Sequence, residues 1–112
     1  MTPDAVRDRL AELTGWLKHR ASGSTKEDGE DGLYWKRKGR MTWDHPIPNT
    51  LDEAAKLPEG CRGCETIHVG LSNTVAVIVA GPLTGTRAEG PTELEARFRL
   101  RLACELAEKE KQ

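Results

Sequence analysis

The sequence predicts an α/β sandwich in which helices cover both faces of a four-stranded, mainly antiparallel sheet. The strongest signal is an all-apolar strand over residues 74–80. Its alternating side chains form two apolar sets, Val75, Val77 and Val79 on one face and Ala76, Ile78 and Ala80 on the other, so neither face is expected to meet solvent. Three helix-capping signals and two hairpin signals complete the order α-β-β-α-β-β-α. Residues 1–112 have room for a single domain.

The first helix is predicted to begin at Thr2, because a Thr cap, a first-turn proline and an acid follow one another in Thr2-Pro3-Asp4. Its apolar positions recur at helical spacing and form one core-facing stripe, Val6, Leu10, Leu13 and Leu17. Gly15 is suited to the left-handed residue that ends the helix, with Trp16 folding back on the last turn.

Two further helices are indicated by capping boxes, Thr50 with Glu53 and Thr92 with Glu95. The last helix carries a broad apolar surface, which predicts packing on more than one neighbour. That surface comprises Leu94, Ala96, Phe98, Leu100, Leu102, Ala103, Leu106 and Ala107, and the water-facing set is Arg97, Arg101, Glu105 and Glu108. We also expect self-association or partner docking there, around Ala96, Leu100, Ala103 and Ala107.

Two hairpins supply the predicted strands. Residues 33–35 and 41–43 bracket a basic turn that contains Gly39, and residues 65–70 pair with residues 73–80. Between the first helix and the first hairpin, residues 20–32 hold no large apolar side chain, which predicts a mobile polar loop.

Composition excludes several classes of protein. Seventeen basic and 18 acidic residues give a net charge of −1, which argues against a surface that binds nucleic acid or membrane as a whole. The charge is uneven, because residues 16–43 carry seven basic and four acidic side chains whereas residues 44–70 carry two and five. With neither a membrane-length apolar run nor a signal-peptide pattern, we expect a cytoplasmic protein in the host cell that makes no membrane contact.

Four segments together resemble the phage ABA sandwich domain, a family of small phage and prophage proteins mostly without an assigned activity. They are Leu13-Thr14-Gly15-Trp16, the stretch from Pro46 to Asp52 that follows a Trp-bearing hairpin, the Leu57-Pro58-Glu59-Gly60 stop, and a last strand that leads into an Ala/Arg-rich helix. The resemblance spans nearly the whole chain and implies the sandwich fold and a phage or prophage origin, but no active-site residues. Cys61 and Cys64, and the long polar loop, depart from the family pattern.

The cysteines raise the question of a metal site. Cys61 and Cys64 have the spacing of a zinc knuckle, and His68 follows as a weak third candidate. A structural zinc site needs four ligands, and the remaining cysteine, Cys104, lies on the last helix. We therefore expect free thiols in a reducing compartment, no stoichiometric metal and no other cofactor.

The segment from Gly81 to Gly90 is predicted to connect a buried strand to the N-terminus of the last helix, where backbone donors and the helix dipole favour an anion. Thr84, Thr86 and Arg87 could join such a site. The segment lacks both nucleotide-binding glycine motifs. An ordinary strand-to-helix connection is the alternative.

The basic turn is the other candidate site. Lys36, Arg37, Lys38 and Arg40 are concentrated in a chain that is slightly acidic overall, with Tyr34, Trp35 and Trp43 on either side. Basic and aromatic side chains together are typical of a phosphate, single-strand or acidic-protein contact. A solvated turn with its aromatics in the core is the alternative.

No arrangement of nucleophile, base and orienting group stands out, since Asp44 and His45 are adjacent on an extended segment and point apart. We therefore expect no enzymatic activity. The leading hypothesis is a binding protein that antagonises a host defence system, such as an anti-CRISPR protein, through a host protein partner. The alternatives are a binder that sequesters a nucleotide signal at residues 81–90, and an accessory or morphogenetic phage protein.

Overall fold

A computed structural model of the chain describes residues 2–20, 33–58 and 61–110. These residues form three helices and six strands in the order α-β-β-β-α-β-β-β-α. The elements are α1 (Pro3–Leu13), β1 (Leu17–Arg20), β2 (Leu33–Arg37), β3 (Arg40–Thr42), α2 (Leu51–Ala54), β4 (Arg62–His68), β5 (Thr74–Ala80), β6 (Arg87–Gly90) and α3 (Glu93–Glu110). The predicted mobile loop at residues 20–32 lies outside the described residues, apart from Arg20 at the end of β1.

The strands form two three-stranded antiparallel sheets, so the predicted single four-stranded sheet is wrong. The N-terminal sheet has the order β1-β2-β3 and the C-terminal sheet the order β4-β5-β6. Both predicted hairpins are present, as β2–β3 and β4–β5. The two strands that the sequence did not predict, β1 and β6, each add to one hairpin as an outer strand.

All three predicted helix starts are confirmed. The hydroxyl of Thr2 accepts a hydrogen bond from the Ala5 N–H at 3.2 Å. Thr50 caps α2 through the Glu53 N–H, and Thr92 caps α3 through the Glu95 N–H, each at 3.2 Å. Each cap satisfies a backbone donor that the first turn of a helix leaves unpaired.

The end of α1 also follows the prediction. Gly15 has φ +99°, the left-handed conformation that glycine adopts without steric cost. The Trp16 N–H donates to the Ala11 carbonyl at 2.9 Å and the Gly15 N–H to the Glu12 carbonyl at 3.1 Å, which together form a Schellman motif. Leu17, however, does not belong to the helix stripe. It opens β1 and is 62% exposed, because the Schellman turn redirects the chain before it.

Helix α3 contributes to two core clusters, which confirms that its apolar surface serves more than one neighbour. The first cluster joins α3 to α1, α2 and the N-terminal sheet through Val6, Leu10, Ala11, Trp35, Ile47, Ala54, Phe98 and Leu102. The second joins α3 to the C-terminal sheet through Cys61, Ala76, Ile78, Leu83, Ala96, Leu100 and Cys104. The residues that α3 contributes to each cluster are four or eight positions apart, so they lie on one side of the helix, as helical geometry requires.

Arg101 is a correction to the predicted water-facing set of α3. It is only 6% exposed, because α2 packs over that flank of the helix. Its Nη1 donates to the Glu53 backbone carbonyl at 2.9 Å and lies 3.4 Å from Glu53 Oε1. Burial raises the pKa of the Glu53 carboxyl, but hydrogen bonds and charge from Lys56 and Arg101 outweigh it, so the pKa lies below its ordinary value.

The prediction that helices cover both sheet faces is wrong. In the C-terminal sheet, the Ala76 and Ile78 face packs on α3, whereas Val75, Val77 and Val79 belong to neither core cluster. A continuous apolar run is typical of a strand buried on both sides, but here Val75 and Val77 are only half-buried and Val79 is exposed. None of the described helices combines the length and the apolar character that crossing a membrane requires.

Candidate functional site

The basic turn closes the β2–β3 hairpin in two residues. Arg37 pairs with Arg40, and the residues between them, Lys38 and Gly39, have φ of +42° and +83°. Two consecutive positive φ values are typical of the type I′ turn, whose twist matches that of a hairpin. The turn therefore holds Lys36, Arg37, Lys38 and Arg40, here called the basic tip, within a few residues of one another at the end of the sheet.

A cleft opens beside the basic tip on the side of the sheet that faces α1. It has a volume of about 360 Å³ and is lined by Trp16, Arg37, Lys38 and Arg40. The Schellman motif brings Trp16 to this place, and the Arg37 side chain passes over Gly15, where an added Cβ would lie 3.5 Å from Arg37 Nε. No described acidic residue forms an ion pair with any of the four basic-tip side chains.

The two tryptophans predicted to flank the basic tip separate in the structure. Trp35 is 4% exposed and belongs to the first core cluster, so it supports the sheet and does not line a contact surface. Trp43 is 49% exposed and lies on the opposite face of the sheet. Strand alternation accounts for the difference, because Trp35 pairs with Thr42 and Trp43 is one residue further along.

The face of the N-terminal sheet opposite Trp35 is the most distinctive surface of the described chain. Two cross-strand rows cover it, Leu17 with Lys36 and Met41, and His19 with Tyr34 and Trp43. Leu17 and Met41 are 62% and 55% exposed. These six residues are here called the aromatic face. None of its six residues belongs to either core cluster.

The rings of the aromatic face pack on one another. His19 and Tyr34 are stacked with centroids 5.4 Å apart and an interplanar angle of 21°. Tyr34 and Trp43 are tilted by 60° with centroids 5.5 Å apart. Such ring pairs stabilise a cross-strand surface, so the face is held in shape before any partner binds.

Charge on this sheet is of one sign. Strands β1, β2 and β3 contain Lys and Arg but no Asp or Glu. Lys36 lies within the aromatic face, between Leu17 and Met41, and Lys38 lies in the turn at its end. Arg37 and Arg40 are on the opposite side of the sheet, beside the cleft. The arrangement can receive an acidic surface that also offers apolar groups.

Sequence reasoning missed three members of the aromatic face, Leu17, His19 and Met41. The signal that could have found Met41 is the alternation within the hairpin: once Trp35 is placed in the core, Lys36 must point outward, and Met41 pairs with it. Leu17 and His19 could not be found in this way, since β1 was not predicted and Leu17 was assigned to the first helix.

His45 pairs with a residue far away in sequence, Asp8 on α1. Its Nε2 lies 2.7 Å from Asp8 Oδ1, and its Nδ1 accepts a hydrogen bond from the Ile47 N–H at 3.0 Å. Burial lowers the pKa of His45 more than the hydrogen bond to Asp8 raises it, which favours the neutral ring at neutral pH. Because Nδ1 accepts from Ile47, the proton of the neutral ring is assigned to Nε2, facing Asp8. Arg7 donates to the Ile47 carbonyl at 2.8 Å and 3.0 Å. These groups tie α1 to the segment before α2.

The segment from Gly81 to Gly90 differs from its prediction, because β6 forms within it before α3 begins. The Thr84 hydroxyl donates to the Gly81 carbonyl at 2.6 Å. The Gly85 N–H donates to the Ile78 carbonyl, and the Thr86 carbonyl accepts from the Ile78 N–H, each at 2.9 Å. Arg87 pairs with Val77 in the sheet. The structure thus uses Thr84 and Thr86 to close the β5–β6 connection and does not gather them with Arg87 at the start of α3.

The cysteines come together, but without the predicted histidine. Cys61, Cys64 and Cys104 all belong to or pack against the second core cluster. His68 is four residues beyond Cys64 on one strand, about 13 Å away at strand rise, and contacts the Thr74 hydroxyl. Among the described residues, no three His, Cys, Asp or Glu side chains are placed to hold a metal ion. Burial, followed by the hydrogen bond to Cys61, raises the pKa of Cys104 to about 12, which favours the protonated thiol at neutral pH.

The small residues of α3, expected to support self-association, are used within the chain. Ala96 and Leu100 are fully buried in the second core cluster, and Ala107 packs against it. The apolar surface that motivated the expectation is therefore already covered at these positions.

Comparison with known proteins adds no identification. No protein-family model, no curated protein and no solved structure matches the chain. The resemblance to the phage ABA sandwich domain therefore stays a prediction from the sequence.

Proposed function

We propose that the protein is a non-enzymatic binding protein that docks its aromatic face and basic tip onto an acidic surface of a host protein. One observation carries the proposal: the aromatic face is uncovered by the described residues, rich in large apolar side chains and built on three strands that contain basic but no acidic residues. Trp, Tyr, Met and Arg are the residue types enriched at protein interfaces.

A protein partner fits this surface better than a single-stranded nucleic acid. Binding of single strands relies on free aromatic ring faces on which bases stack. Here His19 and Tyr34 already stack on each other, and Trp43 packs against Tyr34. The most exposed large apolar side chains of the face, Leu17 and Met41, offer aliphatic surface, which contributes to a desolvated protein interface and does not stack on bases.

The chemistry of the surface also defines the partner. Lys36 lies within the apolar rows and Lys38 lies in the turn at their end, so the matching surface has apolar groups and Asp or Glu opposite these two lysines. Complementary charge of this kind raises the association rate and excludes wrong partners. With the phage origin implied by the sequence resemblance, we propose a component of a host defence system, inhibited by occupation of its surface.

The test begins with binding. Proteins captured from a host lysate by the immobilised chain are identified, purified and titrated against wild type, Trp43→Ala and Leu71→Ser. Leu71 is a fully exposed apolar residue outside the aromatic face, so its variant controls for a general loss of apolar surface. We expect Trp43→Ala to raise Kd by about 30-fold or more, as for a central aromatic anchor. An equal Kd for all three proteins would contradict the proposal.

Charge reversal in the basic tip is the second part of the binding test. Reversal of charge in Lys36→Glu with Lys38→Glu should weaken binding strongly at low salt and less at high salt. Both residues are exposed, so the change in stability should stay below about 0.5 kcal/mol. For the biological role, phage plating is measured on defence-proficient host cells that express wild type, Trp43→Ala or Leu71→Ser. Only Trp43→Ala should lose protection of the phage; the absence of protection by wild type would reject the antagonist role.

A second candidate function rests on the cleft beside the basic tip. An indole and three cations around about 360 Å³ suit a small aromatic anion such as a nucleotide, whose phosphate would meet Arg37, Lys38 and Arg40. Nucleotides would then raise the melting temperature of wild type and of Trp43→Ala, but not of Arg40→Ala. If no nucleotide stabilises wild type, this candidate is excluded.

A further inference from the structure

The C-terminal sheet has its own uncovered apolar face, on the side of β5 away from α3. Val75, Val77 and Val79 form its central strand, and Ile67 lies beside Val75 on β4. Ile67 is 54% exposed and Val79 is also exposed, whereas Val75 and Val77 are half-buried. None of the four belongs to either core cluster. These residues, with Glu65, Arg87 and Glu89 at their sides, are here called the valine face.

The composition of this face is unusual for a solvated one. An antiparallel sheet with one face in water normally alternates between apolar side chains inward and polar side chains outward. The central strand of the valine face presents three successive valines outward and no polar side chain. An apolar strip of β-branched residues in the middle of a sheet is the composition of a buried sheet-on-sheet contact.

The charges of the valine face are arranged differently from those around the aromatic face. Glu65 and Arg87 both pair with Val77, one on each side of it. Two strand spacings separate them by about 10 Å, and neither side chain forms an ion pair with another described residue. One acid and one base thus lie at the same height on opposite edges of the apolar strip.

We propose that a second copy of this chain covers the valine face. A two-fold axis that runs along β5, between two facing sheets, places β4 of one copy over β6 of the other. Because Glu65 and Arg87 share a row, Glu65 of each copy then faces Arg87 of the other, and the valines of the two β5 strands pack together. The two ion pairs lie at the rim of an apolar contact, the usual anatomy of a protein interface.

The row next to it fits the same arrangement. Ile67, Val75 and Glu89 share a row, so Ile67 of one copy lies across from Glu89 of the other, at the edge of the contact where a carboxylate reaches water. A two-fold axis that crosses the strands at the row of Val77 would instead place Glu65 over Glu65 and Arg87 over Arg87, which repel. The aromatic face cannot pair with itself in this way, because its strands carry no acidic residue.

Charge reversal with rescue tests the arrangement. Sedimentation and light scattering give the dimer dissociation constant of wild type, Glu65→Arg, Arg87→Glu and the double variant that carries both changes. Each single variant places like charges across the interface twice, so we expect its Kd to rise at least about tenfold. The double variant restores both pairs in the opposite sense, and its Kd should return close to that of wild type. Arg40→Glu, on the other sheet, is the control and should leave the Kd unchanged.

Three results would overturn the proposal. The first is a wild type that stays monomeric at high micromolar concentration. The second is a dimer whose Kd neither single variant changes, because its contact would lie elsewhere. The third is a double variant that dimerises no better than the single variants. Glu65 and Arg87 are exposed, so the variants should fold, and equal melting temperatures of the monomers confirm this.

Discussion

His45 and Asp8 are 37 residues apart in sequence and meet at 2.7 Å between Nε2 and Oδ1. The same imidazole packs against Trp35 with centroids 5.1 Å apart, so one side chain joins α1, the N-terminal sheet and the segment before α2. Lys18 also reaches Asp8, at 3.6 Å. This pair could not be predicted from the sequence, in which the acidic residue next to His45 is Asp44 and not Asp8.

Stability should fall as the pH falls through the pKa of His45. Burial holds the folded-state pKa below the ordinary value of 6.5, so below about pH 6.5 the unfolded chain binds a proton that the folded chain resists. Protonation also removes the Nδ1 acceptor of the Ile47 N–H. We expect the free energy of unfolding in urea to decrease between pH 7 and pH 5. In His45→Asn, whose side-chain oxygen can still accept from Ile47, this decrease should be smaller.

His68→Gln is the matched control, since His68 is exposed on β4. It should keep the wild-type dependence on pH. A His45→Asn variant that loses stability as steeply as wild type would show that other groups titrate in this range.

Removing the Glu53 side chain should lower the free energy of unfolding more than replacing Arg101 does. Glu53→Ala leaves a guanidinium that is 6% exposed without its carboxylate, which we expect to lower the free energy of unfolding by about 1–3 kcal/mol. Arg101→Met removes the buried charge together with Nε, which has no hydrogen-bond partner among the described residues. Its cost should therefore be smaller. Urea denaturation measures both.

Lys56→Ala provides the control for this pair. Lys56 Nζ lies 2.8 Å from Glu53 Oε2, but its side chain is mostly exposed, so its removal should change stability by less than about 1 kcal/mol. If Lys56→Ala costs as much as Glu53→Ala, the buried guanidinium is not the reason for the loss.

Gly90 should tolerate no side chain. A Cβ at this position would lie 2.7 Å from the backbone nitrogen of Ala96 and 3.0 Å from the carbonyl carbon of Glu95, so β6 would have to move away from the first turn of α3. We expect Gly90→Ala to lower the free energy of unfolding by about 1–3 kcal/mol, as other overpacked sites do. Glu89→Ala, exposed on the same strand, should be nearly neutral. A stable Gly90→Ala protein would mean that this contact relaxes easily.

The three thiols should differ in reactivity. Cys61 and Cys104 are buried and Cys64 is half-buried, and burial raises the pKa of Cys64 as well as that of Cys104. A thiol reagent at mildly alkaline pH should modify Cys64 first, and the other two at the rate of unfolding. Cys64→Ser should abolish the fast phase. A fast phase that persists in Cys64→Ser would place a reactive thiol at Cys61 or Cys104.

Local signals in the sequence predicted local structure well. The three Thr caps, Gly15 at the end of α1 and the turn at Gly39 each depend on residues a few positions apart, and all are confirmed. Strand β1 could not be predicted in this way. Its residues are Leu17, Lys18, His19 and Arg20, all exposed, so no apolar alternation marks it, and it exists because β2 supplies hydrogen-bond partners from beyond residue 32.

Dependence on residues distant in sequence also explains why β6 and the aromatic face were not predicted. Arg87–Gly90 has little strand propensity, and forms because Ala88 and Gly90 are small enough to lie beneath α3. Arg101 was placed in water because helical periodicity does not show that α2 covers its flank. The basic tip was predicted from composition alone, whereas the aromatic face required knowing which side of the hairpin Trp35 buries.

Helix α3 is the last described element to leave the ribosome, yet both core clusters depend on it. Phe98 and Leu102 complete the first cluster, and Ala96, Leu100 and Cys104 complete the second. During synthesis, the apolar sides of α1 and of both sheets therefore stay uncovered until α3 emerges. Neither core cluster can be completed before the other on the nascent chain. The two sheets should therefore acquire protease resistance together, in a single step after translation has passed Cys104.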